Sequence, residues 1–226
     1  MAIAEEIAGE AARLAVGILG GTGDQGRGLG RRLAMAGNRV IIGSRDPSRA
    51  VAAAATIGSA PQVTGAANED VASEADLVIA AIPWEGHASL LSRLAGPLLG
   101  KIVIDCVNPM AFDNHGAYPV PVPEGSAAQQ AAAVLPGSTV VGAFHHVSAT
   151  VLLDPEVTDL DQDVMVLGDH RHATNLVQAL AERLPGVRGV YAGRLRNCGQ
   201  VEALTCNLVS LNRRYKAHTG VRITGI

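Results

Sequence analysis

Short apolar runs alternate along the chain with stretches whose apolar residues recur at helical spacing. The runs fall at 16–19, 38–43, 76–82, 101–105 and 139–143. A run apolar on both faces suits a strand of a parallel sheet, because helices cover each side and neither face meets water. Between the runs the spacing predicts helices over 27–36, 47–57, 84–94 and 126–134, with a brief helix from Asn68 and a short segment around Val63. Repeated strand–helix–strand units imply a right-handed, doubly wound parallel sheet. Residues 108–124, rich in Pro and Gly, read as irregular. The pattern then resumes with strands at 163–167 and 187–191 and helices at 173–184 and 198–215. Residues 144–226 are thus expected to form a small C-terminal α/β lobe on the same sheet edge, with no linker marking the boundary. The first thirteen residues read as an amphipathic or frayed extension ahead of the first strand.

Composition narrows the class of protein. The 226 residues are 48% hydrophobic with a mean hydropathy of +0.22, ample for a buried core. A net charge of −3 argues against a general nucleic-acid or membrane-surface binder. No apolar run approaches the length that spans a bilayer, and the N-terminus lacks the basic residues of a secretory signal. Cys106, Cys198 and Cys206 are odd in number and lack metal-type spacing, which fits reduced thiols and a cytoplasmic location.

The first strand runs straight into Gly21-Thr22-Gly23-Asp24-Gln25-Gly26, a Gly-x-Gly-x-x-Gly turn followed by a helix. In such a turn Gly21 would permit the tight reversal, Gly23 would let backbone approach a pyrophosphate, and Gly26 would let helix pack close to strand. The helix start adds unpaired N–H groups and a positive dipole end. Strand, glycines and helix in this order point to a dinucleotide.

The next strand ends at Ser44-Arg45-Asp46-Pro47-Ser48-Arg49. A site selective for NAD usually places Asp or Glu here to accept from the ribose 2′-hydroxyl. A hydroxyl and two guanidiniums instead bond a 2′-phosphate, which a carboxylate would repel. Asp46 is expected to cap the helix that begins at Pro47. The expected cofactor is NADP.

Ligands of open parallel sheets gather outside the carboxyl ends of the strands. That rule gathers the glycine turn, Ile82-Pro83-Trp84-Glu85, Val107-Asn108-Pro109 and the stretch from Gly142 to Val147. Trp84, the sole tryptophan, is either a ring facing the pocket or a core aromatic. His145 and His146 are candidates for a general base or for metal ligands, but no matching Cys, Asp or Glu cluster accompanies them. A positioning role for His145, His146 and Val147 is expected, and no metal. Lys101 and Lys216 are the only lysines, and Lys101 opens a strand expected on the opposite edge. Reducing a carbonyl needs a proton donor near the alkoxide. Hydride transfer between two ring cofactors needs chiefly stacking, with the reacting carbons about 3–3.5 Å apart.

Several of these stretches together resemble the deazaflavin-dependent NADP oxidoreductases, the NADPH-dependent reductases of coenzyme F-420. The likeness rests on residues 20–29, Gly43-Ser44-Arg45, Asn68-Glu69-Asp70, Ile82-Pro83-Trp84-Glu85, the His145/His146 strand end and Val201-Glu202-Ala203-Leu204. It implies a Rossmann-type NADP-binding domain over 1–143, including the 1–13 extension. It also implies a small lobe over 144–226 serving the second cofactor and dimer contacts, usually in a homodimer. NADP would lie on the glycine turn, with Thr22 near the phosphates and Ser44, Arg45 and Arg49 on the 2′-phosphate. The deazaflavin would stack on nicotinamide near His145–Val147 and the loop after Val107, with reversible hydride transfer between nicotinamide carbon 4 and deazaflavin carbon 5. The chain departs from the family pattern at Val107-Asn108-Pro109-Met110 and at Arg213-Arg214-Tyr215-Lys216. Those last cations are either a grip for the second coenzyme's anionic tail or a solvated cluster. Two other readings stay open: an NADP-dependent imine or small-carbonyl reductase of the pyrroline-carboxylate type, for which 144–226 is short, and a non-catalytic nucleotide-sensing domain.

Overall fold

The computed structural model describes residues 2–57 and 62–226. Helix α1 (Ala2–Arg13) precedes strand β1 (Ala15–Leu19), helix α2 (Asp24–Met35), β2 (Arg39–Ser44), α3 (Pro47–Ala55), β3 (Val63–Ala67), α4 (Asn68–Glu74) and β4 (Leu77–Ala80). Next come α5 (His87–Arg93), β5 (Ile102–Asp105), a hairpin of β6 (Met110–Asp113) and β7 (Gly116–Pro119), α6 (Ala127–Val134) and β8 (Thr139–Gly142). The chain ends with α7 (Ala149–Leu153), β9 (Gln162–Gly168), α8 (Arg171–Ala181), β10 (Val187–Gly193), a 3-10 turn (Leu195–Asn197) and the long α9 (Cys198–Tyr215).

Eight strands form one sheet in the order β10-β9-β8-β5-β4-β1-β2-β3. All neighbours are parallel except β8 and β9, where Val141 faces Gly168 and Gly142 faces Leu167. The run from β3 to β8 is the doubly wound order of a Rossmann-type sheet, whose direction of winding switches between β1 and β4. Alternation along each strand divides the core. Val16, Ile18, Val40, Ile42, Leu77 and Ile79 pack with α2 and α3 on one face. Leu19, Ile41, Val78 and Val103 pack with α4, α5 and α6 on the other. Both faces are dry, which is why these strands read as unbroken apolar runs rather than alternating ones.

Four details differ from the sequence expectation. The first helix is docked rather than frayed: Ala11 is fully buried, Asn38 donates to the Ala11 carbonyl at 2.8 Å, and α1 packs on α8. Helix α2 begins at Asp24, inside the glycine motif, and not at Arg27. Residues 108–124 contain the β6–β7 hairpin, because the Asp113 carboxylate accepts from the amides of His115 and Gly116 and Gly116 takes a φ of 125°. Strand β5 lies inside the sheet between β4 and β8, so Lys101 is not at an edge. Its ammonium instead donates to three carbonyls at the end of α4, those of Ala72, Ser73 and Ala75, each at 2.7 Å. A cation there complements the negative end of the helix.

Two buried arginine or carboxylate clamps tie the C-terminal half to the sheet. Arg32 of α2 is almost fully buried and donates to the carbonyls of Val151, Leu152, Asp154 and Val157, which closes the end of α7 onto α2. At the start of β9, the buried Asp163 accepts two hydrogen bonds from Arg188, at 2.7 and 3.0 Å, and one from the Ile223 amide at 2.6 Å. Bonding to Arg188 first of all, helped by the Ile223 amide, holds the Asp163 carboxyl down to about 2 despite its burial. Arg188 also reaches the carbonyls of Ile223 and Ile226, so this one cluster fastens the final segment to the edge strands.

No helix among the described residues is long and apolar enough to cross a membrane. Asp163→Ala is expected to destabilise the fold by about 1.5–3 kcal/mol, the usual worth of hydrogen bonds to a charged group. Urea unfolding should show a lower midpoint, and an unchanged midpoint would mean that the clamp contributes nothing.

Candidate functional site

The cleft opens at the carboxyl end of the parallel strands, by β1 and β4, where the winding of the sheet switches. Its floor is backbone packed on backbone. Gly20 takes the left-handed conformation (φ 69°), and a Cβ on it would lie 2.6 Å from the Ala81 carbonyl. Gly20, one residue before the Gly21 expected to permit the tight turn, is thus the residue that takes the left-handed conformation. Gly21 instead donates to the Gly43 carbonyl at 2.9 Å, and a Cβ on Gly26 would meet the Gly21 Cα at 2.6 Å. Gly21 and Gly26 thus lie behind the cleft, while Thr22, Gly23, Asp24 and Gln25 line it. The closeness of α2 aims the amides of its first turn into the opening. Asp24 in that turn pairs with Arg27 at 2.6 Å.

At the end of β2, Ser44, Arg45 and Arg49 line the same cleft. Asp46 does cap α3, accepting from the Ser48 amide at 2.9 Å and the Ser48 hydroxyl at 2.7 Å. Those bonds, the Ser48 hydroxyl's first, lower its carboxyl below the ordinary range. The carboxylate is thereby occupied with the helix start. Among the described residues neither Arg45 nor Arg49 is paired with an acid. Asn68, buried at the start of α4, lines the cleft with its Oδ1 unpartnered among the described residues; the sequence marked it only as a helix start and as part of the family likeness.

The other end of the cleft is built by the segments after β4, β5 and β8. Ile82, Pro83, Trp84, Asn108, His145, His146 and Val147 all line it. Trp84 is half-buried, packs against the core and lies 5.6 Å from the His87 ring, so both readings of it hold in part. Phe144, fully buried, takes a positive φ of 65°, costly for an aromatic residue, and this turn swings the two histidines toward the cleft. The carbonyls there are tied down: Gln25 donates to that of Phe144 at 3.3 Å, and Asn108 and Thr205 donate to that of His145 at 2.8 and 3.2 Å.

Both histidines are held neutral. Burial above all pushes each down to about 4, against the opposing pull of Asp105 on His145. His146 accepts from the Met165 amide at 3.3 Å, whereas both His145 ring nitrogens, His146 Nδ1 and Asn108 Oδ1 are buried and have no hydrogen-bond partner among the described residues. A buried orphan costs about 1–3 kcal/mol, so such a cluster fits a wall that receives a polar ligand. Among the described residues no group of three or more His, Cys, Asp or Glu could hold a metal ion.

Behind this wall lies a polar cluster that sequence reasoning missed. His87 contacts Asp105 at 2.6 Å and Gln130 at 3.0 Å, with both ionisable partners fully buried. Burial lowers the proton affinity of His87, but bonding to Asp105 outweighs it and the net shift is upward. Glu202 of α9 accepts from the amides of Ala127 and Ala128 at the start of α6 and stands 4.0 Å from His145. Its burial lifts its carboxyl to about 7. Only the Val201–Leu204 stretch hinted at Glu202, through a likeness and not through any pattern of its own.

The cleft encloses about 1110 Å³. Its geometry offers amides and two arginines for phosphates at one end and flat apolar and imidazole surfaces at the other. Burial holds the two histidines of its wall neutral, which suits surfaces that orient flat rings.

Residues 15–109 match the family model described as "NADP oxidoreductase coenzyme F420-dependent". The chain is 39% identical to the F420-dependent NADP reductase of Methanocaldococcus jannaschii and 37% identical to that of Methanothermobacter marburgensis. Each alignment spans 93% of this chain and 98% of the relative. A solved structure of a candidate F420-dependent NADP reductase from Arthrobacter sp. FB24 superposes with a TM-score of 0.80. Their identity is 28%, covering 94% of this chain and 100% of the other.

The depressed histidines set a pH dependence. Unfolded, they take protons near 6.5; folded, only near about 4. Their contribution to stability is complete above 6.5 and drains away as pH falls from 6.5 toward 4. The melting temperature should drop over that window, and His146→Gln should flatten the drop. An equal slope in wild type and variant would place its source elsewhere.

Proposed function

This chain belongs to the coenzyme F420-dependent NADP oxidoreductases, and from that membership we propose that its cleft carries reversible hydride transfer between NADP(H) and coenzyme F-420. When bound, the two coenzymes supply the hydride donor and acceptor, nicotinamide and deazaflavin. The protein supplies binding, alignment and exclusion of water.

Thr22 and the first-turn amides of α2 are the groups proposed to hold the pyrophosphate, with Gly23 and Gln25 beside them. Ser44, Arg45 and Arg49 are proposed to hold the 2′-phosphate and so select NADP over NAD. Asn68 has an unpartnered acceptor near these groups. Ile82, Pro83 and Trp84 flank the nicotinamide end, and Asn108, His145, His146 and Val147 form the opposing wall. Neutral imidazoles can donate or accept a single hydrogen bond there without setting a charge beside a hydride. Residues 144–226 are proposed to serve the second coenzyme, since Thr205, Leu208 and Val209 of α9 line the cleft.

One observation carries this reading: the phosphate-binding end and the histidine wall line a single cleft of about 1110 Å³. That volume lies just above the roughly 300–1,000 Å³ of ordinary ligand pockets, so the cleft is large for one small ligand. A cytoplasmic homodimer is proposed as the working form. The family likeness supports the dimer, and the free, buried state of all three cysteines suits a reducing compartment.

Mixing purified protein with NADPH and oxidised deazaflavin should bleach the deazaflavin's visible absorbance, and absence of bleaching despite NADPH binding would refute the activity. Arg45→Ala combined with Arg49→Ala should weaken NADPH binding by on the order of 10- to 100-fold while leaving NADH binding nearly unchanged. Equal losses for both nucleotides would mean that the arginines do not read the 2′-phosphate.

A further inference from the structure

Four buried ionisable side chains meet behind the cleft wall: His87 on α5, Asp105 on β5, Glu202 on α9 and His145 after β8. Three of them have settled partners. His87 has an acceptor at each ring nitrogen, Asp105 Oδ2 at 2.6 Å and Gln130 Oε1 at 3.0 Å. Gln130 is fixed in that orientation because its amide nitrogen donates to Glu124 at 3.3 Å. A ring with acceptors on both sides carries both protons, so His87 and Asp105 form an ion pair. The other oxygen of Asp105 accepts from the Val107 amide at 3.0 Å. Glu202 accepts from the amides of Ala127 at 2.9 Å and Ala128 at 3.2 Å, which sets its carboxylate against the first turn of α6.

His145 is the exception. Its side chain has no solvent exposure, and neither ring nitrogen has a hydrogen-bond partner among the described residues. Its Nε2 stands 4.0 Å from Glu202 Oε1. That is too far for a hydrogen bond but close for a charge in surroundings of low dielectric. Burial holds the ring neutral, so its single proton sits on one nitrogen or the other. With no bond to choose between them, the surrounding charges select the tautomer. Asp105 is already paired with His87, and burial keeps the thiols of Cys106 and Cys198 protonated. From α6 come only amides and the uncharged Gln130. Among the described residues no lysine or arginine pairs with Glu202. Its charge is the one left to decide.

We propose that Glu202 is a positioning residue for the wall of the main cleft: its carboxylate draws the single proton of His145 to Nε2, leaves Nδ1 as an acceptor, and through α9 seats Thr205 on the His145 carbonyl. For its effect on hydride transfer the proposal rests on the reading of the cleft given above. Thr205, one turn after Glu202, lines the cleft and donates to that carbonyl at 3.2 Å. One carboxylate thus governs the ring of His145 from one side and its carbonyl from the other. A proton on Glu202 removes the charge that selects Nε2. Since burial lifts this carboxyl to about 7, the bias on His145 is full well above pH 7 and fades as pH falls below it. His87, where bonding to Asp105 outweighs burial and raises the proton affinity, is the other group of the cluster that can titrate nearby.

The tautomer is read from the imidazole nitrogens by nitrogen–proton NMR on histidine-labelled protein without coenzymes, the His145 signals being those lost in His145→Asn. At pH 8 the wild type should show His145 protonated on Nε2. Lowering the pH to 6 should move both nitrogens toward a mixture of tautomers, with a midpoint at about 7. In Glu202→Gln that movement should vanish, while His87, followed in the same spectra, keeps its own titration. Single-turnover hydride transfer from NADPH should slow by on the order of tenfold in Glu202→Gln, with the Kd for NADPH unchanged. A wild-type His145 protonated on Nδ1 at pH 8 would overturn the proposal without any variant having to fold. So would a pH shift that survives in Glu202→Gln. A lower melting temperature with tautomer and hydride-transfer rate unaltered would reduce Glu202 to a structural role and overturn it too. A wild type that transfers no hydride yet shows the tautomer shift would overturn the reading of the cleft and leave the hold of Glu202 on His145 standing.

Discussion

Everything at the site depends on backbone approaching backbone where β1 turns into α2. A Cβ at Gly26 would sit 2.6 Å from the Gly21 Cα, and one at Gly20 would sit 2.6 Å from the Ala81 carbonyl. No side chain could be accommodated there by a change of rotamer, because the obstacles are main chain. The helix start therefore sits close against the carboxyl end of β1, with its amides facing outward. Around that point the ends of β2, β4, β5 and β8 arrive at one rim, since parallel strands all finish on the same side. The antiparallel turn from β8 to β9 then lets the chain add two further strands and return α9 along the open side of the cleft.

What holds α9 in place is a buried polar cluster rather than apolar packing alone. Glu202 caps α6 through two amides, His87 joins α5 to β5 through Asp105, and Gln130 of α6 closes the set. Ionisable groups in such surroundings are stable only while each keeps its partners, so the cluster specifies one arrangement of four elements. That arrangement carries Thr205, Leu208 and Val209 to the cleft. It also provides the supported face behind His145, whose ring nitrogens have no hydrogen-bond partner among the described residues.

Much of the architecture was legible because the strands are apolar on both faces and the helices between them are not. The hairpin at 110–119 was not legible: its strands are four residues each, and Pro and Gly dominate its surroundings. It forms through one carboxylate that satisfies two turn amides, a contact that composition does not reveal. Likewise the start of α2 fell inside a glycine motif whose local propensity opposes helix, and tertiary contact with β1 overrode it. Trp84 escaped a clear reading because a half-buried ring serves both core and cleft.

By itself, the order of residues determined the parallel sheet, the glycine turn between β1 and α2 and the basic pair after β2, because each depends on neighbours a few positions apart. It also contained enough of the family pattern to name both coenzymes. Only the tertiary structure decided what assembles around the rings. Glu202 meets Ala127 across 75 positions, and Asn108 meets the His145 carbonyl across 37. Contacts of that range leave no periodicity in the sequence, since folding, not spacing, sets which distant groups become neighbours.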